Sequence, residues 1–274
     1  MKIIDLDSTN YIKLIGGSII TILTILLSWD SFYTYSCMSL IFSIIVLLVI
    51  SSSFISLKMQ ERNCYKTCYF KDESIISKML TSKILVTVIY MIISVMMSIS
   101  VLYGVIEYSI ILWLYIIFHI VISILIFVIL NKKLKNTINE KFLHIFTREL
   151  TINISAFIFF IAYIYITING YEPKYLIEGN SLKETIIIAS NSISSECYYI
   201  DAVLRFKIEV DSSFWWFMSN GTMSNGAMSE KYDGLKALIW MTFMIINAFT
   251  IFGINRFIVQ IIYLLNLLFK EKDK

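Results

Sequence analysis

Two histidines and four cysteines make a short inventory for catalysis or metal binding. His119 lies among Ile and Phe, where an imidazole can relay a proton or simply hydrogen-bond a neighbouring helix. His144 lies in a charged stretch. Cys64 and Cys68 are spaced to share one helix face. A structural zinc site needs four ligands, and no His or further Cys stands near them. Cys197 can pair with another subunit or stay reduced, and the scatter of the four thiols is not a disulfide framework. No P-loop, GxSxG or HExxH occurs. The residues predict no enzyme, no cofactor and no metal.

Hydroxyls and amides in apolar surroundings form a second group. Ser94, Ser98, Ser100, Asn153, Ser155 and Asn247 can hydrogen-bond between helices inside a membrane, as helix glue or as a polar pathway. With His119, the amides Asn153 and Asn247 are the candidate intramembrane polar residues. The run Phe214-Trp215-Trp216-Phe217 is the candidate interaction surface. Such rings favour the bilayer interface and the hot spots of protein contacts alike.

These residues need elements to hold them, and composition says which. The chain of 274 residues is 58% hydrophobic and 16% charged, with one Pro and nine Gly. Soluble domains run near 45–50% apolar and about 25% charged. A mean hydropathy of +0.76 belongs to a polytopic membrane protein. A bilayer core needs about 20 apolar residues per helix, and six stretches supply them: 11–29, 32–57, 84–106, 108–131, 151–169 and 235–253. No Asp, Glu or Arg falls within these stretches. The pattern predicts an all-α fold of six transmembrane helices in three hairpins.

Orientation follows from basic residues. With the N-terminus inside, segments 1–13, 58–83, 132–150 and 254–274 carry 17 of the 23 Lys and Arg. The expectation is a multi-pass cell-membrane protein with cytoplasmic N- and C-termini and residues 170–234 external. The leading MKIIDLD is not net basic and no cleavage pattern follows, so the first apolar run reads as a retained span.

Three units follow. Residues 1–169 hold helices 1–5 with connectors 58–83 and 132–150, residues 170–234 form the external insert, and residues 235–274 hold the sixth helix and an amphipathic C-terminal helix. In the insert, 174–178, 185–189 and 198–210 are rich in β-branched and aromatic residues. Leu204, Phe206, Ile208 and Val210 alternate with polar neighbours, which predicts strands in a small α/β or β-containing cap. The near repeat starting at Met218, Met223 and Met228 (MSNGT, MSNGA, MSE) reads as an exposed loop. Past Gly253, Arg256, Gln260, Tyr263 and Asn266 recur at helical spacing, predicting a helix that lies on the inner leaflet or bundles with other subunits.

The connectors carry the candidate cytoplasmic docking residues. Ile75 and Met79 share one face of the first, and Leu134, Ile138 and Phe142 recur every four residues in the second, which is read as extending the fourth span. Two functional readings follow. One is a non-catalytic membrane sensor or interaction protein that couples the insert to a cytoplasmic partner, in a role of the toxin-immunity or phage-defence type. The other is an oligomeric pore or the permease subunit of a transporter, on an analogy of span order with ABC exporters. Expected partners are the lipid bilayer, copies of the chain or a cytoplasmic protein, with no direct nucleic-acid binding. A missing mid-membrane charge and the scarcity of Gly argue against rocking-bundle transport.

Overall fold

The computed structural model describes residues 8–69, 82–170, 173, 175–177, 180–223 and 229–272. Eight α-helices are among them: α1 Ser8–Phe32, α2 Leu40–Tyr69, α3 Lys83–Ile106, α4 Ile110–Leu134, α5 Glu140–Gly170, α6 Leu182–Ser192, α7 Tyr198–Met223 and α8 Ser229–Lys272. A 3₁₀ turn at Cys37–Ser39 enters α2. Six helices are long and apolar enough to cross a membrane, over Tyr11–Phe32, Cys37–Arg62, Lys83–Ile106, Ile110–Leu134, Phe142–Ile166 and Asn247–Phe269.

Serines punctuate the starts. Ser82, Ser109 and Ser181 accept the backbone N–H three residues on, which satisfies a donor that the helix leaves open. At Ser181 the cap is reciprocal, with Glu184 accepting from the Ser181 backbone N–H at 2.8 Å.

The last of these helices joins two elements that the sequence reads as separate. Instead of a span over 235–253 followed by a separate amphipathic helix, α8 runs unbroken for 44 residues, about 66 Å at helical rise. Among its described residues Asn247–Phe269 is long and apolar enough to cross a membrane, and 67% of an 18-residue window there is buried, against 28–39% for the other five candidate spans. Helix α8 touches α1, α2, α3, α4, α5 and α7, so it is the axis of the bundle. Arg256 and Gln260, two of the polar residues that mark 254–270 as amphipathic, face the interior, where partners on other helices meet them. Arg148, Glu149 and Arg256 lie outside the apolar stretches 151–169 and 235–253 but within the longer apolar helical segments Phe142–Ile166 and Asn247–Phe269.

The largest contacts elsewhere join α2 to α3 and α4 to α5, while α1 and α2 make a smaller one. Helices α3 and α8 approach closely at two glycines. A methyl group on Gly253 would sit 2.7 Å from Val101 Cγ2 and 3.1 Å from the Met97 carbonyl, and one on Gly104 would sit 2.8 Å from Thr250 Cγ2. A side chain at either position would force the two backbones apart.

Among the described residues there is no strand. Residues 185–189 and 198–210 lie in α6 and α7 instead. Period two and period 3.6 agree at every fourth residue, so Leu204 and Ile208 fit both patterns; burial of Ile200, Leu204 and Ile208 with Phe206 exposed is the helical solution. Ion pairs at i, i+4 between Asp201 and Arg205 and between Lys207 and Asp211 add to it. Segment 174–178 falls partly outside the described residues. The repeat continues α7 to Met223, and residues 224–228 lie outside the described residues.

The second connector also differs. A turn at residues 135–138 ends α4, and the Asn139 carbonyl accepts from Phe142 and Leu143, so Phe142 opens α5 and does not extend the fourth span. The first connector's Ile75 and Met79 lie outside the described residues.

Candidate functional site: a polar axis and two cavities

The bundle has two ends. At one, the α1–α2 turn meets α6 and α7; this is called the insert end. Cys37 and Cys197 form a disulfide across 160 residues of chain with Cα atoms 4.8 Å apart. The Glu196 N–H donates to the Thr34 carbonyl at 2.9 Å, and the Ser195 hydroxyl donates to the Tyr33 carbonyl. The thiol at 197 thus has an intrachain partner. The other end, where α8 stops, is the tail end.

Polar side chains run along α8 from one end to the other. Near the insert end, the Tyr163 hydroxyl donates to Asn247 Oδ1 at 3.0 Å and the Thr250 hydroxyl donates to the Ser100 carbonyl at 3.3 Å. In the middle, fully buried His119 meets fully buried Asn255, Nε2 to Oδ1 at 2.8 Å, with Phe159 edge-on to the imidazole at 5.0 Å between centroids. Toward the tail end the contacts become ionic. Arg256 Nη2 donates to Glu149 Oε2 at 3.2 Å, and Lys58 Nζ lies 3.3 Å from Glu149 Oε1 and 2.6 Å from Glu61 Oε2. The Arg148 guanidinium donates to Gln260 Oε1, and Gln260 Nε2 donates to the Ser52 hydroxyl at 3.2 Å.

Three cations, Lys58, Arg148 and Arg256, face two carboxylates here, so the cluster carries a surplus positive charge. Aromatic faces take up part of it. The Arg256 guanidinium lies 3.7 Å from the Phe54 ring centroid, and that of Arg148 lies 4.3 Å from the Tyr263 centroid. Such contacts grow stronger where water is excluded. Arg256 and Arg148 are 7% and 3% exposed, and Arg148 Nε and Arg256 Nε and Nη1 have no hydrogen-bond partner. Removing Glu149 would leave the buried Arg256 guanidinium without its anion.

Two cavities lie toward the insert end. A small one of about 30 Å³, space for one water, is lined in part by Glu107, Tyr108, Lys207, Asp211 and Asn247. Asp211 pairs with Lys207 through Oδ2, while its buried Oδ1 and the buried Tyr108 hydroxyl have no partner. Burial raises the Asp211 carboxyl above the usual carboxylate range. A larger, apolar cavity of about 320 Å³ lies between α1, α2, α3 and α7. Tyr103 lines both, with the Lys207 ammonium 4.4 Å from its ring centroid.

The sequence candidates divide accordingly. His119 and Asn247 sit on the polar axis, bonded to Asn255 and Tyr163. Asn153 does not; it is exposed on the outside of α5. Ser94, Ser98 and Ser155 bond carbonyls of their own helices, at 2.7, 2.7 and 3.2 Å, and so do not glue helices together. In the aromatic run, Trp215 packs against the core, Trp216 Nε1 donates to the Asn180 carbonyl at 2.9 Å, Phe214 is half-buried and Phe217 is exposed. Leu134 and Ile138 are half-buried, and Phe142 packs beside Leu57, Ile145, Ile152 and Val259. Arg148, Glu149, Asn255, Arg256 and Gln260 escaped the sequence reading as site residues. For Arg256 and Gln260 the signal was their helical spacing, there assigned to a helix on the inner leaflet or bundled with other subunits.

Among the described residues no cluster of His, Cys, Asp and Glu has the makings of a metal site. The chain matches no protein-family model, no curated protein and no solved structure.

Proposed function

We propose that the protein is a non-catalytic membrane sensor or interaction protein, in which α8 couples an external insert to a cytoplasmic partner. One observation carries the reading: a single uninterrupted helix starts beside α7, passes through the centre of the bundle and reaches the tail end. A change in how the insert holds α8 has a direct mechanical route through the bilayer. The polar contacts on α8 give that route discrete alternative pairings, which a purely apolar interface lacks. The excess of Lys and Arg at the tail end supports a cytoplasmic tail. The Cys37–Cys197 bond supports an insert on the oxidising side.

The test places an environment-sensitive fluorophore on a cysteine introduced at Leu268, an exposed position near the end of α8, in a Cys64→Ser/Cys68→Ser background. In sealed vesicles with the insert outward, a membrane-impermeant reductant then opens Cys37–Cys197. The expected result is a change in the fluorescence at 268. A flat signal with the disulfide fully reduced removes the coupling.

The buried ionisable residues on the axis favour a second reading, a transporter or pore subunit, since such groups mark ion and substrate pathways. Ion flux through vesicles holding the purified protein alone would select it over the sensor.

A further inference from the structure

We propose that the apolar cavity near the insert end binds one acyl chain of a bilayer phospholipid, drawn from the leaflet at that end. The inference is independent of the sensor reading and rests on the cavity's walls, its opening and its position.

The walls ask for hydrocarbon. Three of the polar side chains that line it are already satisfied: the Trp29 indole N–H donates to the Leu102 carbonyl at 2.7 Å, the Ser98 hydroxyl to the Ser94 carbonyl at 2.7 Å, and the Tyr103 hydroxyl to Glu107 at 3.1 Å. No charged residue lines the space. Water entering it would give up hydrogen bonds and find none, and cavities of this kind stay dry or take apolar guests. At about 320 Å³ the space is far larger than the voids that close packing leaves.

The opening faces lipid. Ile44 of α2 and Val95 and Ile99 of α3 line the cavity and are 54%, 37% and 40% exposed. They belong to spans, so the surface between them is bathed in acyl chains. A chain that slides in from this side keeps hydrocarbon on all sides and gains dispersion contacts with Trp29, Leu102 and Leu204.

The roof fits the polar end of the same molecule. Helix α7 covers the cavity with Tyr199, Ile200, Val203 and Leu204. Ile200 and Leu204 point inward at 5% and 3% exposure, whereas Tyr199 is 72% exposed. An exposed tyrosine at this level has the amphipathic character of residues that sit among lipid headgroups. The disulfide at Cys197, one residue before α7, holds the roof to the entry of α2.

The test uses the full chain in phosphatidylcholine vesicles containing a trace of phosphatidylcholine with a diazirine on one acyl chain. After illumination, adducts are mapped by peptide mass spectrometry. Adducts are expected on Leu102 and Leu204, which a lipid on the outer surface cannot touch, as well as on outward-facing Phe118 and Phe157. Val203→Trp, at the roof, is expected to lower the Leu102 and Leu204 adducts by about tenfold and leave those on Phe118 and Phe157 unchanged. Formation of Cys37–Cys197 and a single elution peak report that the variant is folded. If it is not, Ile44→Trp closes the mouth from α2 and is read in the same way. Adducts confined to exposed positions, or buried-site adducts that ignore the folded plugging variant, overturn the proposal.

Discussion

His119 Nε2 stands 2.8 Å from Asn255 Oδ1, and Asn255 Nδ2 donates to the Ile251 carbonyl at 2.8 Å. The second bond fixes the amide, so Oδ1 must accept and Nε2 must carry the proton. The buried Nδ1, which has no partner, is then the bare nitrogen. The pair ties α4 to α8 as a neutral hydrogen bond. A double-mutant cycle with His119→Phe and Asn255→Leu, read by unfolding in bicelles, is expected to give a coupling of about 0.6 kcal/mol, and at most about 1.7 kcal/mol. Zero coupling would mean the two side chains do not meet.

Glu149 is the shared anion of the tail-end cluster, touching both Lys58 and Arg256. Glu149→Gln leaves the buried Arg256 guanidinium without its anion while Lys58 keeps Glu61, and it is expected to destabilise by less than the ~3–5 kcal/mol of a fully buried pair. The double variant Glu149→Leu/Arg256→Leu removes charge together with counter-charge and is expected to melt above Glu149→Gln. Thermal unfolding followed by near-UV circular dichroism in detergent ranks the two.

Closing a loop of 160 residues makes Cys37–Cys197 a large restraint on the unfolded chain. The entropic account puts such a loop near 4–5 kcal/mol. Non-reducing peptide mapping is expected to return the Cys37 and Cys197 peptides joined. Cys197→Ser is expected to lower the unfolding midpoint, with hydrogen exchange rising first in α6 and the start of α7.

Asp201 begins α7 and is held by two contacts, Arg205 Nε at 2.7 Å and the Ser195 N–H at 3.0 Å. Chiefly the Arg205 hydrogen bond keeps its carboxyl below the ordinary value of 3.8. A depressed carboxyl stabilises the fold above its unfolded value, and the contribution is lost as pH falls through the lower folded value. The start of α7 is therefore expected to hold at neutral pH and loosen only below about pH 4. Asp201→Asn is expected to make hydrogen exchange at Ser195 and Cys197 faster at pH 7 and flatten its acid dependence. An unchanged profile refutes the assignment.

Much of this architecture is legible in the sequence, and the exceptions share a cause. The first five spans emerge from apolar runs because lipid-facing helices must be greasy all along one side. The tail of α8 looks amphipathic instead, because its surroundings are other helices. Arg256 and Gln260 look like surface residues until Glu149 and Arg148 meet them, and those partners lie more than a hundred positions away. Pairing of that range leaves no local trace. The strand reading of 198–210 failed on a coincidence of periods, although Asp201–Arg205 and Lys207–Asp211 already carried the helical spacing. The Ser181-x-x-Glu184 cap was likewise readable as a helix start. His119 and Asn247 were found as interior polar residues, but their partners were not. The apolar cavity has no local signature either, since four separate helices build it.

Because α8 follows α1–α5 in the chain and is the axis of the bundle, their assembly has an order imposed on it. Helices α1–α5 precede α8, so His119 and Arg148 await Asn255 and Gln260, the residues that bond them. Until α8 is in place, the contacts that join α4 and α5 to the centre of the bundle are unmade.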